Sequence, residues 1–214
     1  MKISILTSDP KHPVVKSLVE WKDIMLQKGH EVILCFDKTG LKGGDILFLV
    51  SCGQIIKETD RKSFRSVIVL HASDLPAARG WSPHIWAIVR GQNEITVSLL
   101  EAEDPVDSGR IWLKQKFSLD GHELLTEINA KLFQTELELM TKAVEQYNSI
   151  IPQPQIGDSG EYMQKRTPDH SRLQPEHSLA EQFDLLRVVD NERYPAFFDH
   201  RGHRYIIKIE KLQK

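Results

Sequence analysis

The sequence predicts an α/β protein: an open, mostly parallel sheet of the Rossmann-like type, followed by a small C-terminal helix–hairpin extension. Three observations carry this. The strands at 2–6, 30–36, 45–50 and 67–70 are near-continuous apolar runs, which is how strands buried on both faces of a parallel sheet look. Between the first two, Val14, Leu18, Trp21 and Met25 recur at spacings of three and four, the period of an amphipathic helix. Strands that alternate with such helices fold into an open sheet with helices on its faces.

Taken in order, Lys2-Ile3-Ser4-Ile5-Leu6 is the first strand, and 7–13 is a loop. A helix runs from Pro13 to Lys28, and Gly29 closes it because glycine accepts positive φ. Strands follow at 30–36, 45–50 and 67–70. A helix opens at Ser82-Pro83. Beyond Gly91 come strands at 95–100 and 110–113, separated by a long loop, then a helix from Glu123 to Tyr147 with Leu124, Ile128, Leu132, Leu139 and Val144 on one stripe. The run Ile151-Pro152-Gln153-Pro154-Gln155-Ile156-Gly157 cannot be helical and marks a boundary. The expected domains are therefore 1–150 and 151–214. The second holds a short helix with Leu179, Phe183 and Leu186 on one face, then a hairpin of Tyr194–Phe198 and Tyr205–Ile209 around Asp199–His203.

The 214 residues suffice for one sizeable core, and 40% apolar with 27% charged residues is an ordinary globular composition. A formal net charge of −2 does not suggest a nucleic-acid binder, whose affinity would come from clustered Lys and Arg. No run approaches the roughly 20 apolar residues of a membrane helix. Two cysteines, Cys35 and Cys52, make neither a disulfide framework nor a metal site, so a reduced, cytoplasmic protein is expected.

In open α/β sheets ligands bind beyond the carboxyl ends of the strands. Thr7-Ser8, Ser51-Cys52-Gly53 and His71 all fall at such ends. Side chains alternate along a strand, so Val67, Val69 and His71 share one face. A second loop, Glu101-Ala102-Glu103-Asp104-Pro105-Val106-Asp107-Ser108-Gly109, crowds carboxylates between apolar strands. A carboxylate beside an imidazole raises its pKa and orients the ring for general acid–base work, and Asp107 is the candidate partner of His71. Asp74 is its rival, read instead as capping the turn before Pro76. Cys52, with no evident activating base, reads as a small core residue. Trp86 also reads as core, and His200 with His203 as solvated turn residues rather than a metal pair. Arg79 either meets a phosphate or braces its loop.

The run His71-Ala72-Ser73-Asp74-Leu75-Pro76, then Arg79-Gly80-Trp81-Ser82-Pro83, then Trp86-Ala87-Ile88 and Gly91, resembles the active-site run of the formyltetrahydrofolate-dependent transformylases. Val106-Asp107-Ser108-Gly109 is similar to that family's second element. The resemblance implies the formyltransferase fold, and transfer of a formyl group from the co-substrate 10-formyltetrahydrofolate to an amine. It makes His71 the catalytic histidine and Asp107 the aspartate that raises its pKa. It assigns the pterin to Gln54, Ile55, Ile56, Trp81 and the Glu103-Asp104-Pro105-Val106 loop. Weaker substrate contacts are expected at Ser8, Lys11, Ser73 and Arg79. One departure stands out: where the family carries an asparagine that stabilises an oxyanion, this chain has Val69. A backbone N–H, a water or the Ser73 hydroxyl would have to substitute.

The tail, through Lys165-Arg166-Thr167-Pro168-Asp169, Asp184-Leu185-Leu186-Arg187 and Tyr194-Pro195-Ala196-Phe197-Phe198, resembles the segment after the catalytic domain in formyltransferases acting on nucleotide-linked amino sugars. That makes a nucleotide-linked amino sugar the expected acceptor. A hairpin exposing Phe197, Phe198, Tyr205 and Ile207 would be too apolar to leave in water, so a homodimer through it is expected. Folding of the hairpin back on its own chain is the alternative. Three other activities stay open: a formyltetrahydrofolate hydrolase, a glycinamide-ribonucleotide-type transformylase, and a non-catalytic folate- or nucleotide-binding homologue, which Val69 keeps in play.

Overall fold

A computed structural model describes residues 1–212. Strands β1 (Lys2–Leu6), β2 (Glu31–Cys35), β3 (Gly44–Leu49) and β4 (Phe64–His71) pair in parallel, and β6 (Glu94–Glu101) and β7 (Ile111–Ser118) complete the sheet antiparallel, in the order β2-β1-β3-β4-β6-β7. The sheet is thus mostly parallel, as its apolar runs require.

Register decides which side chains share a face. Ile5, Phe48 and Ile68 lie opposite one another across β1, β3 and β4 and bury under α1 (Val14–Gln27) and α4 (Leu125–Glu145), with Leu18, Trp21, Leu132 and Leu139. The other face holds Leu6, Leu47, Leu49 and Val67 against Ile56 and Phe64. Burying each such side chain is worth about 1.5–3 kcal/mol. Helices α1 and α4 run side by side: Trp21 Nε1 donates to Thr141 Oγ1 at 2.9 Å, and Lys28 meets Glu145 at 2.9 Å. The long helix starts two residues later than its apolar stripe suggested, because the Glu127 carboxylate takes the Leu124 N–H at 2.9 Å and closes the first turn there.

Segments that composition leaves unstructured hold the loops at the sheet's edge. A one-turn helix, α2 (Glu58–Arg61), precedes β4, and two-residue β5 (Arg79–Gly80) leads into α3 (Pro83–Val89). The Pro-rich stretch after α4 is docked rather than loose. Gln153 exchanges two backbone hydrogen bonds with Ile111 at 2.8 Å, and β8 (Tyr162–Met163) pairs in parallel with β5.

The tail differs from expectation in three ways. Its helix, α5 (Phe183–Leu186), is a single turn; Leu179 lies outside it and is exposed. The hairpin of β9 (Ala196–His200) and β10 (His203–Ile207) turns on Arg201-Gly202 alone, both with positive φ, so Asp199, His200 and His203 belong to the strands. Phe197 is buried, and Phe198 and Ile207 pack with Leu173, Leu186, Val189 and Ala196, so much of the hairpin's apolar surface folds onto its own chain. Tyr205 and Ile206 stay exposed. Arg187, wholly buried, ties this region to Asn93, just before β6, at 2.6 Å, and bonds Asp184 of α5 at 2.7 Å.

Candidate active site

His71 ends β4, and its side chain turns to the Val67–Val69 face, as alternation demands. Its Nδ1 stands 3.6 Å from Asp107 Oδ1, and both residues are buried. Its Nε2 meets the Ala78 carbonyl at 3.1 Å. Burial pushes the imidazole below its ordinary value; the Asp107 carboxylate and the Ala78 carbonyl pull upward without overcoming that. Asp107 thus raises the His71 pKa as expected, but burial outweighs it and the net shift is downward, because the pair sits in a dry wall.

Asp107 is held through both its side chain and its backbone. Its Oδ2 accepts the Gly80 N–H at 3.0 Å, and the Gln155 side-chain amide donates to the carbonyls of Asp107 at 2.9 Å and Gly109 at 2.8 Å. Its own φ is +61°, a left-handed conformation that an aspartate adopts only when its surroundings insist. Two glycines make the arrangement possible. A Cβ at Gly109 would lie 1.9 Å from the Glu101 carbonyl oxygen, and one at Gly80 2.4 Å from that of Met163. Gly80 also has φ of +98°.

The pair lies on a cleft of about 990 Å³ that straddles the carboxyl edge of the sheet. On the Val69–His71 side it is walled by Gln54, Ile55, Ile56, Trp81, Glu103, Asp104 and Val106. Ile55, Trp81 and Val106 are 63%, 42% and 50% exposed there, an apolar slot fit for a flat ring system. Lys165 Nζ sits 4.9 Å over the Trp81 ring. The Arg61 guanidinium, 2.6 Å from Asp104, holds that carboxyl below the usual range. On the Leu70–Ala72 side the wall is His12, Pro13, Asn129, Phe133 and Glu136, with Arg166 and Arg193 from the tail.

Most of the residues singled out from sequence meet here. Ser8 lines the cleft and fixes the Gly53 N–H at 2.8 Å; Lys11, Ser73, Arg79 and Pro105 do not line it. Ser73 Oγ donates to the Ala78 carbonyl at 2.5 Å, so its hydroxyl braces the loop and cannot replace an asparagine at 69. Asp74 does not cap its turn by side chain; it binds Lys114 Nζ at 2.5 Å. Arg79 braces its loop through the β5–β8 pairing. Cys52 is half-buried, packed against the core of that face while also lining the cleft, with Sγ 3.5 Å from Ser8 Oγ, and half-buried Trp86 donates to the Gln164 carbonyl at 3.1 Å. His200 and His203 are exposed, opposite each other on the hairpin.

Sequence reasoning passed over His84, Glu136 and Gln155. Glu136 had a visible signal: it stands on the apolar stripe between Leu132 and Leu139–Met140, where a carboxylate does not belong. It is buried, its Oε2 has no partner, and burial raises its pKa to about 8. His84 carried no signal beyond following Ser82-Pro83.

A family model described as "Formyl transferase" matches residues 35–144, slightly more than half the chain. The chain belongs to the formyl transferase family. The methionyl-tRNA formyltransferase of Rickettsia massiliae is 27% identical over 167 residues, 77% of this chain and 54% of that protein. The chain spans about half the length, or less, of the curated relatives it matches. Among solved structures, methionyl-tRNA formyltransferase from Clostridium thermocellum aligns with a TM-score of 0.84 at 22% identity, over 100% of this chain and 94% of that one. A 4-N formyltransferase from Francisella tularensis aligns at 0.78 and 19%, over 100% and 98%. HypX from Aquifex aeolicus, in complex with tetrahydrofolic acid, aligns at 0.81 and 19%, over 98% and 37%. At these identities the shared property is the formyl transferase fold, with its mostly parallel sheet; the chain also carries small C-terminal strands.

Proposed function

We propose that this protein transfers the formyl group of 10-formyltetrahydrofolate to the amino group of a nucleotide-linked amino sugar. The observation that carries the reading is the buried His71–Asp107 pair at the junction of a cleft with two unlike arms. The arm with Ile55, Trp81 and Val106 suits a reduced pterin, in keeping with the tetrahydrofolic acid of the HypX complex. The arm with Arg166 and Arg193 offers cations to an anionic acceptor, and a 4-N formyltransferase shares the fold.

In this scheme His71 accepts a proton from the amine as its nitrogen attacks the formyl carbon. The C–N bond to the acceptor forms, the bond to the cofactor nitrogen breaks, and that nitrogen receives the proton. General acid–base catalysis of this kind is worth roughly 10²–10⁴-fold. Asp107 orients the ring and offsets part of the cost of charging it in a buried place.

Exposed Tyr205 and Ile206 give the hairpin an apolar edge that a second copy would cover, making a homodimer; sedimentation of the wild type against Ile206→Glu tests this. The thiols Cys35 and Cys52 are unpaired, which fits a reducing cytoplasm.

A screen of nucleotide-linked 4-amino and 3-amino sugars with 10-formyltetrahydrofolate, following loss of the formyl group from the cofactor, tests the proposal. The expected result is acceptor-dependent release of tetrahydrofolate and a formamide product. Release of formate at the same rate without any acceptor would make it a hydrolase. Calorimetric binding without turnover would make it a binding protein.

A further inference from the structure

His84 is an imidazole on the cleft wall that the scheme above does not use. It is the second residue of α3, behind Pro83, and His71, His12 and Arg166 line the same cleft and each disfavour a charge on it. Its two nitrogens differ. Nδ1 is sealed from solvent and has no partner, whereas Nε2 is not sealed and bonds to no other described residue, so it opens to the cleft. A neutral imidazole carries its proton on one nitrogen only. Placing it on Nδ1 would strand a buried donor, which proteins rarely tolerate. The proton belongs on Nε2, pointing into the cleft. Burial lowers the pKa of this ring to about 4, so it is a neutral donor near pH 7.

Formyl transfer needs such a donor. When an amine attacks the formyl carbon, the carbonyl π pair moves onto oxygen, and that oxygen needs a hydrogen bond waiting for it. Beside His71 the side chains offer little: Val69 has no donor, the Ser73 hydroxyl is committed to the Ala78 carbonyl, and His71 itself must take up the amine's proton. We infer that the Nε2–H of His84 is the hydrogen-bond donor to the oxygen of the transferring formyl group. This rests on the formyl-transfer reading. The C=O bond re-forms as the bond to the cofactor nitrogen breaks, and the proton taken up by His71 leaves with that nitrogen. A neutral donor suits the place better than a lysine or arginine would, because a fixed cation there would lower the His71 pKa further.

Isotope-edited infrared spectroscopy of bound cofactor, labelled with carbon-13 at the formyl group, reads this contact whether or not turnover occurs. His84→Leu is expected to raise the formyl C=O stretching frequency and to lower kcat on the best acceptor about 10²-fold, with cofactor KM within a few-fold. Val69→Asn in the His84→Leu background is expected to bring the frequency back down and restore at least tenfold of the rate. Equal frequencies in wild type and His84→Leu would overturn the inference. Should His84→Leu not fold, nitrogen-15 histidine spectra of the wild type serve: the His84 Nε2 signal, assigned with His84→Gln, must move on adding 10-formyltetrahydrofolate and not on adding tetrahydrofolate. An unmoved signal is equally fatal. The two readings fail separately. A frequency change without formylation of any acceptor would remove the transferase assignment and leave the donor. Formylation with no frequency change would do the reverse.

Discussion

Asp107 faces His71 across 3.6 Å while its second oxygen is tied to the Gly80 amide, so one carboxylate both orients the imidazole and fastens the loop that follows it. Asp107→Asn keeps the shape and an oxygen for Gly80 but loses the charge. Formyl transfer is expected to fall by at least 10²-fold with the far-UV circular dichroism spectrum unchanged. Wild-type rates in that variant would remove Asp107 from the mechanism.

The acid limb of the pH–rate profile should lie below the ordinary histidine range. His71 must be unprotonated to accept the amine's proton, and its pKa is lowered by burial. Activity therefore persists as pH falls past 6.5 and drops only through the lowered value. Because Asp107 pulls that value upward, Asp107→Asn should move the limb to still lower pH, measured on whatever rate remains.

Glu136 gives a stability test with the opposite sign. Its folded pKa of about 8 exceeds its ordinary 4.5, so the folded state keeps a proton that the unfolded chain gives up. Stability is lost as pH rises from about 4.5 to about 8, by roughly 3 kcal/mol or more at the upper end. Glu136→Gln removes that dependence. Urea midpoints of variant and wild type should converge near pH 5 and separate near pH 8 in favour of the variant. His84 works from the acid side: its folded pKa of about 4 costs stability as pH falls from 6.5 towards 4.

Gln155→Ala tests the strap behind the catalytic loop. It removes two hydrogen bonds to the Asp107 and Gly109 carbonyls. At about 1 kcal/mol each, the melting midpoint should fall by roughly 4–8 °C. The activity loss should exceed the loss from Gln153→Ala, whose backbone bonds to Ile111 survive the change.

Gly109→Ala should be far more damaging than its size suggests. The added methyl would lie 1.9 Å from the Glu101 carbonyl oxygen, which can move only if β6 and the Asp107 loop part. Loss of both soluble yield and cofactor binding is the expected outcome, read by expression and calorimetry.

Sequence alone made the sheet legible. Runs such as Asp45–Val50 and Val67–Leu70 are too uniformly apolar for anything but strands covered on both sides, and the Val14–Leu18–Trp21–Met25 spacing has one face to bury. It also put His71 at a strand's carboxyl end, because alternation and the turn at Pro76 are local properties. It gave the identity of Asp107 as a candidate, but not its distance from His71, since 35 residues of loop, helix and strand lie between them. Only the tertiary structure decided that meeting, the sign of the shift at His71, and the drafting of Gln155, His84 and Glu136 into the site. Burial and the convergence of distant segments are properties of packing, and no pattern in a single stretch of chain records what will be packed against it.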